Sequence, residues 1–169
     1  MIPIERGASI TYTGRQGEEY QGQQLTLHLD PCKQAGQGFG SATGQYMDVC
    51  IKYDAATQSG YGIRFVRVPH YDHAVEVSLI AYHRGTATAL TEPQKCELFK
   101  RGCQLTLTYT QSQLTAEIAN PQLNDHQPML LTTPLAAQNA SGGIYMVHTG
   151  SLGPSGVVIS AIHCQYLER

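Results

Sequence analysis

The stretch GYGIRFVRVPHYDHAVEVSLIAYHRG, Gly60 to Gly85, holds two alternating runs on either side of a knot of rings and charges, Pro69-His70-Tyr71-Asp72-His73. Ile63 and Phe65 point one way and Arg64 the other. Val75, Val77, Leu79 and Ala81 share one face, with Glu76, Ser78, Tyr82 and Arg84 opposite. Apolar residues at every second position mark half-buried strands. With Pro69–His73 as the loop, Val68 faces Ala74, Phe65 faces Val77, Ile63 faces Leu79, Arg64 faces Ser78 and Val66 faces Glu76. A slip of one residue would turn every apolar side chain to the wrong face, so this register is strongly specified. A hairpin loop of about five residues is ordinary. The stretch therefore predicts a long antiparallel hairpin with the knot at its tip.

The same period runs outward from the hairpin. Met47, Val49, Ile51 and Tyr53 form one face of Tyr46–Tyr53, with Asp48 and Lys52 on the other. Leu105, Leu107 and Tyr109 alternate with Gln104, Thr106 and Thr108; a turn near Gln111-Ser112 leads to Leu114, Ala116 and Ile118. Gly142-Gly143 opens Ile144–Thr149, and Val157–Tyr166 is the last strand, while Ser9–Tyr12 and Gln24–Leu29 are weaker strands near the start. Only Thr91–Arg101 reads as helix, with Thr91 as cap, Glu92 and Pro93 in the first turn and Gly102 past the end. A structured loop is the alternative there. Ala35–Gly44 and Asn120–Pro128 read as loops. About ten to twelve strands with at most one short helix imply an all-β fold, two antiparallel sheets packed face to face as a jelly-roll sandwich.

The chain of 169 residues suits a single domain, 1–169. At this length it buries about two-thirds of the surface its unfolded form exposes, so it needs no cross-links to fold. Charged residues are 14% and the net charge is −2, which predicts no nucleic-acid partner and no pull toward anionic membrane. No apolar run approaches the ~20 residues of a membrane helix. The start, Met1 to Arg6, lacks the pattern of a signal peptide and reads as a boundary inside a longer, secreted chain.

The five cysteines, Cys32, Cys50, Cys96, Cys103 and Cys164, contain no Cys-x-x-Cys pair, which argues against zinc-ribbon and thioredoxin-type sites. Cys96 and Cys103 would pair in an oxidising compartment; otherwise the cysteines are small buried hydrophobes. Thr149-Gly150-Ser151-Leu152-Gly153 approaches a nucleophile elbow but begins with Thr and precedes no helix. Gly36-Gln37-Gly38-Phe39-Gly40 is likewise followed by no helix and is no phosphate loop.

YMDVCIKYD, SGYGIRFVR, HAVEVSLIAYHRG, CQLTLTYTQSQLTAEI, GGIYMVHTGS and GVVISAIHCQY, in that order, resemble the concanavalin A-like lectin/glucanase sandwich, including its laminin-G-like branch. The resemblance covers about Gly44 to Tyr166. It implies curved sheets, often with a concave face or loop rim that binds glycan, and in some members a structural calcium; beyond that calcium, no cofactor is implied. It places the chain as a module of a secreted bacterial protein. The enzymes of this fold use Glu-x-Asp-x-x-Glu, or Arg-x-Glu-x-Arg with Gln-x-His. The first motif aims carboxylates into one cleft. No Glu-x-Asp, Arg-x-Glu-x-Arg or Gln-x-His occurs in this chain.

Two places remain as candidate ligand contacts. At the hairpin tip, His70, Tyr71, Asp72 and His73 could stack and hydrogen-bond a sugar, hold a transition metal if further ligands converged, or simply be a solvated loop. On the polar hairpin face, Arg64, Tyr82 and Arg84, with Glu76 and Ser78, could hold a polyol; otherwise Arg64 and Glu76 are diagonal structural partners. His83 reads as a strand-end histidine, and His148 and His163 could meet across a sheet. The expectation is a non-catalytic carbohydrate-binding or accessory module, extracytoplasmic, whose partners are a glycan and a neighbouring domain. The alternatives are a spacer or protein-interaction domain without a sugar site, and a hydrolase or lyase with an unrecognised site.

Overall fold

A computed structural model describes residues 2–5, 9–13, 20–33, 46–67, 75–110, 112–123, 127–136, 142–148 and 155–167. Among the described residues the chain forms thirteen strands and no helix. They are β1 (Ile2–Glu5), β2 (Ser9–Tyr12), β3 (Gly22–Lys33), β4 (Tyr46–Asp54), β5 (Ser59–Arg67), β6 (Val75–His83), β7 (Thr86–Ala89), β8 (Gln94–Cys96), β9 (Cys103–Thr110), β10 (Gln113–Ala119), β11 (Met129–Pro134), β12 (Gly143–His148) and β13 (Ser155–Leu167). One sheet has the order β1-β13-β3-β9-β10-β11. The other runs β2-β12-β4-β5-β6-β7, with β8 pairing β6 beyond the end of β7. All pairings are antiparallel.

The hairpin pairs in the register its sequence dictates: Ile63 with Leu79, Arg64 with Ser78, Phe65 with Val77 and Val66 with Glu76. Phe65, Val77, Ile63 and Leu79 are fully buried between the sheets. Facing them are Leu25, Leu27 and Leu29 of β3, Leu105, Leu107 and Tyr109 of β9, and Leu114, Ala116 and Ile118 of β10. Phe65 stacks on Phe99 at 4.3 Å and Tyr61 on Tyr109 at 5.7 Å. Alternation in β9 and β10 thus delivers one face to a single shared core.

Thr91–Arg101 is not a helix. The Thr91 hydroxyl accepts the N–H of Leu79 across a 2.9 Å hydrogen bond instead of capping its own turn, and Leu90 donates to the Leu79 carbonyl at 2.7 Å. Gln94–Cys96 then pairs with Val75–Val77. Pairing with β6 satisfies backbone groups that a short helix would have left to water, and it buries Cys96, Leu98 and Phe99. The turn that follows is held by Asn120, whose amide donates to the carbonyls of Leu98, Lys100 and Arg101.

One parity expectation reverses. Lys52 adopts φ 50°, and the β4–β5 register shifts between Ile51 and Asp54. This bulge turns the chain over. Tyr53 therefore leaves the face of Met47, Val49 and Ile51 and joins Cys50 and Ile80 on the opposite side. Lys52 turns inward: its N–H donates to buried Gln23 at 2.7 Å and its ammonium lies 5.7 Å from the Tyr109 ring centre.

His148 and His163 do not meet. They sit in different sheets, His148 fully buried and His163 exposed. His83 is exposed at the end of β6. Cys50, Cys96 and Cys103 are buried free thiols and Cys164 is half-buried and free. Among the described residues no helix is long and apolar enough to cross a membrane.

Candidate functional site

The two outward faces differ in chemistry. On the six-stranded sheet, Gln165, Gln24, Thr108, Thr115 and Thr132 fall in one row across five strands. Gln165 donates to Gln24 at 2.9 Å and Gln24 to Thr108 at 3.1 Å, while the Thr115 and Thr132 hydroxyls share a bond of 3.2 Å. These polar groups largely satisfy one another.

The outward face of the seven-stranded sheet is built from rings around a sealed ion pair. Asp48 on β4 lies directly opposite Arg64 on β5. Arg64 donates Nε to Oδ1 and Nη2 to Oδ2 of Asp48, both at 2.8 Å, a bidentate fork. The Tyr82 hydroxyl donates to the same Oδ2. Tyr82 sits opposite Gly60, and its ring reaches across β5, where Gly60 and Gly62 carry no side chain. A methyl at Gly62 would meet the Val49 carbonyl at 2.0 Å and Cys50 Sγ at 2.8 Å, so this strand crossing demands glycine. The Arg64 guanidinium lies 3.8 Å from the Tyr46 ring centre, a cation–π contact. Asp48 is wholly buried whereas the Arg64 side chain is 24% exposed. The pair therefore presents its cationic end to solvent.

Beside it stand three tyrosines. Tyr53 and Tyr145 stack at 4.5 Å with planes 13° apart, and Tyr82 meets both edge-on, at 6.4 Å and 5.8 Å. Such stacked and edge-to-face pairs are favoured by the ring quadrupole. Cys50, Tyr53 and Ile80 form the buried floor, with Tyr82, Tyr145 and Ala87 against it. Tyr145 arrives here because β12 pairs with β4, bringing Tyr145 opposite Cys50. Burial pushes the pKa of the Tyr53, Tyr82 and Tyr145 phenols above the usual value; for Tyr82 the hydrogen bond to Asp48 adds to it. The bond to Asp48 holds Arg64 cationic beyond its ordinary range, against the opposing effect of burial. The face carries rings and a guanidinium at neutral pH.

The structure brings Arg64 and Tyr82 together, as the hairpin alternation predicts. It separates Arg84 from them. Arg84 and Gly85 form the two-residue β6–β7 turn, with φ 50° and 82°, the pattern of a primed hairpin turn. The Arg84 N–H donates to the Ser59 hydroxyl at 3.2 Å, and its position is at the strand end. His70, Tyr71, Asp72 and His73 lie outside the described residues. Sequence reasoning did not single out Tyr46, Tyr53 or Tyr145 for this face. Tyr46 alternates with Met47 and was readable from parity; Tyr53 and Tyr145 were not.

Calcium takes about six to eight oxygen ligands, and this face does not fit it. Its carboxylate, Asp48, is sealed beneath Arg64 and Tyr82. Among the described residues no group of three or more His, Cys, Asp or Glu side chains could hold a metal ion.

No protein-family model matches the chain, and no curated protein matches it in sequence. Solved structures do. The legume lectin-like domain from Entamoeba histolytica is 16% identical, with a TM-score of 0.60, over 98% of this chain and 82% of that one. The VIP36 exoplasmic/lumenal domain, in its Ca2+/Man3GlcNAc-bound form, is 12% identical with a TM-score of 0.62, over 99% and 77%. The carbohydrate-binding module CBM66 from Bacillus subtilis is 8% identical with a TM-score of 0.54, over 95% and 83%. The fold is a concanavalin A-like β-sandwich.

Proposed function

We propose that this chain is a non-catalytic carbohydrate-binding module and that its sugar site is the outward face of the seven-stranded sheet. The observation that carries the reading is the ring cluster of Tyr53, Tyr82 and Tyr145 beside the Arg64–Asp48 fork. Half-buried Tyr82 and Tyr145, supported by buried Tyr53, offer flat apolar faces to the C–H face of a sugar ring, and a fixed guanidinium offers directed donors to its oxygens. Both are held in place before any ligand arrives, which lowers the ordering cost of binding. The lectin-type fold adds to this, since the similar proteins include a mannose-oligosaccharide-bound domain and a carbohydrate-binding module.

A hydrolytic role draws no support from Asp48, which is sealed from solvent and committed to Arg64 and Tyr82. We place the module outside the cytoplasm of a bacterial cell, attached to a neighbouring domain. The buried state of its described free thiols Cys50, Cys96 and Cys103 suits an oxidising setting as well as a reducing one. The test is affinity electrophoresis and a glycan array with the whole chain. Retardation on at least one polysaccharide, lost in Tyr145→Ala with an unchanged thermal melt, supports the reading. No retention on any plant, microbial or host glycan would leave the spacer role in its place.

A further inference from the structure

We infer that the sugar recognised by this face carries an anionic substituent, a hexuronic acid in the first instance, and that Arg64 reads its charge; this rests on the sugar-binding reading above. A guanidinium has five N–H groups in a fixed planar fork. Two go to Asp48, which leaves three. The Asp48 carboxylate is the obvious acceptor on this face for a sugar hydroxyl, yet it has no exposed surface. Its Oδ2 already accepts two bonds, from Arg64 and Tyr82. The Tyr82 proton points inward to Asp48 and so is not offered to a ligand.

A neutral sugar binds best where acceptors and donors alternate, because each hydroxyl both gives and takes. Around Arg64 this face offers a donor at its surface and keeps the paired acceptor buried. Its solvent-facing pole is the exposed part of Arg64, backed by Tyr46 at 3.8 Å. Glu76 lies opposite Val66 rather than Arg64, and Lys95 of β8 stands in register beside it. An anionic group placed over Arg64 would therefore meet the exposed part of its guanidinium and N–H donors that Asp48 does not take, with the sugar ring lying on Tyr82 and Tyr145. Bidentate recognition of planar oxyanions is what guanidinium geometry favours over ammonium.

The experiment is isothermal titration of the full chain with a panel of uronate oligosaccharides, each paired with its carboxyl-reduced neutral counterpart. Sulfated neutral oligosaccharides form a second arm. The expected result is at least one uronate binding about tenfold to a hundredfold tighter than its reduced partner, the range for one charge-assisted hydrogen bond. That preference should shrink in raised salt and in Arg64→Lys, and affinity should fall in Tyr145→Ala, which keeps the ion pair. Thermal melts establish that each variant folds. If Arg64→Lys does not fold, the reduced-partner comparison and Tyr145→Ala decide the question. Equal response to sulfated sugars would support anion recognition and assign it to charge rather than to the carboxylate. Neutral partners binding as tightly as uronates would overturn the inference and leave the sugar-binding reading intact. A uronate preference unchanged in both variants would also overturn it, by moving the site elsewhere. Failure of every sugar to bind would remove both.

Discussion

Removing Arg64 should harm the fold more than removing the carboxylate it holds. In Arg64→Met, Asp48 stays on a central strand with no solvent exposure and loses both 2.8 Å bonds. It keeps only the Tyr82 hydroxyl. An uncompensated buried charge of this kind costs about 3–5 kcal/mol. In Asp48→Leu the stranded partner is Arg64, whose side chain is already 24% exposed and can turn its guanidinium to water. The remaining cost is the inward Tyr82 hydroxyl left without an acceptor, about 1–3 kcal/mol. The double variant contains no buried charge and should cost no more than Asp48→Leu alone. Introducing Asp48→Leu into Arg64→Met should therefore raise stability by about 2 kcal/mol, the difference between those two ranges. Urea melts followed by circular dichroism read this directly. With an m-value of about 2 kcal/mol/M, Arg64→Met should lower the midpoint by about 1.5–2.5 M. The reasoning is refuted if Asp48→Leu is the costlier single change, or if adding it to Arg64→Met destabilises further.

Other outcomes follow from burial and crossing geometry. The chain has ten tyrosines, and burial lifts Tyr53, Tyr82, Tyr109 and Tyr145, Tyr109 up to about 12. A phenol that ionises later folded than unfolded stabilises the fold fully below the unfolded value near pH 10, and that contribution is lost as pH rises from there. Ultraviolet titration at rising pH should show these phenols ionising late or together with unfolding; ten ionising together near pH 10 in folded protein would contradict the burial. Native protein should leave Cys50, Cys96 and Cys103 unreactive to an aromatic disulfide reagent until denaturant is added, because burial raises all three thiols. Prompt reaction of more than two of the five cysteines would show otherwise. Gly62→Ala should destabilise by about 1–3 kcal/mol or more, as overpacking does, since its methyl would lie 2.0 Å from the Val49 carbonyl; a neutral melt would contradict that crossing.

The fold was legible where alternation was undisturbed. In the Gly60–Gly85 hairpin, Phe65 and Val77 could be buried together in only one register, and β9 and β10 alternate without a break. Alternation misleads at Lys52, because a non-glycine residue at φ 50° gives no local sign of a bulge, and Tyr53 changes face. Capping signals mislead at Thr91, whose hydroxyl serves another strand instead of a helix. The site was legible in half. Arg64 and Tyr82 belong to one hairpin, so parity places them together. Tyr145 joins them only through the β12–β4 pairing, a contact set by sheet order across the whole chain, and no short window of sequence carries that information. Asp48 was visible as an outward residue; its burial arises from the rings and guanidinium that close over it.

The most direct measurement is a map of amide chemical-shift changes when a retained glycan is titrated into labelled protein. The account predicts changes concentrated at Tyr46–Tyr53, Gly60–Arg64, Ile80–Tyr82 and Gly143–Val147, with side-chain changes at the Arg64 Nε. Changes gathered instead on the outward Thr and Gln rows of the six-stranded sheet, at Thr106, Thr108, Thr115 and Thr132, would contradict it.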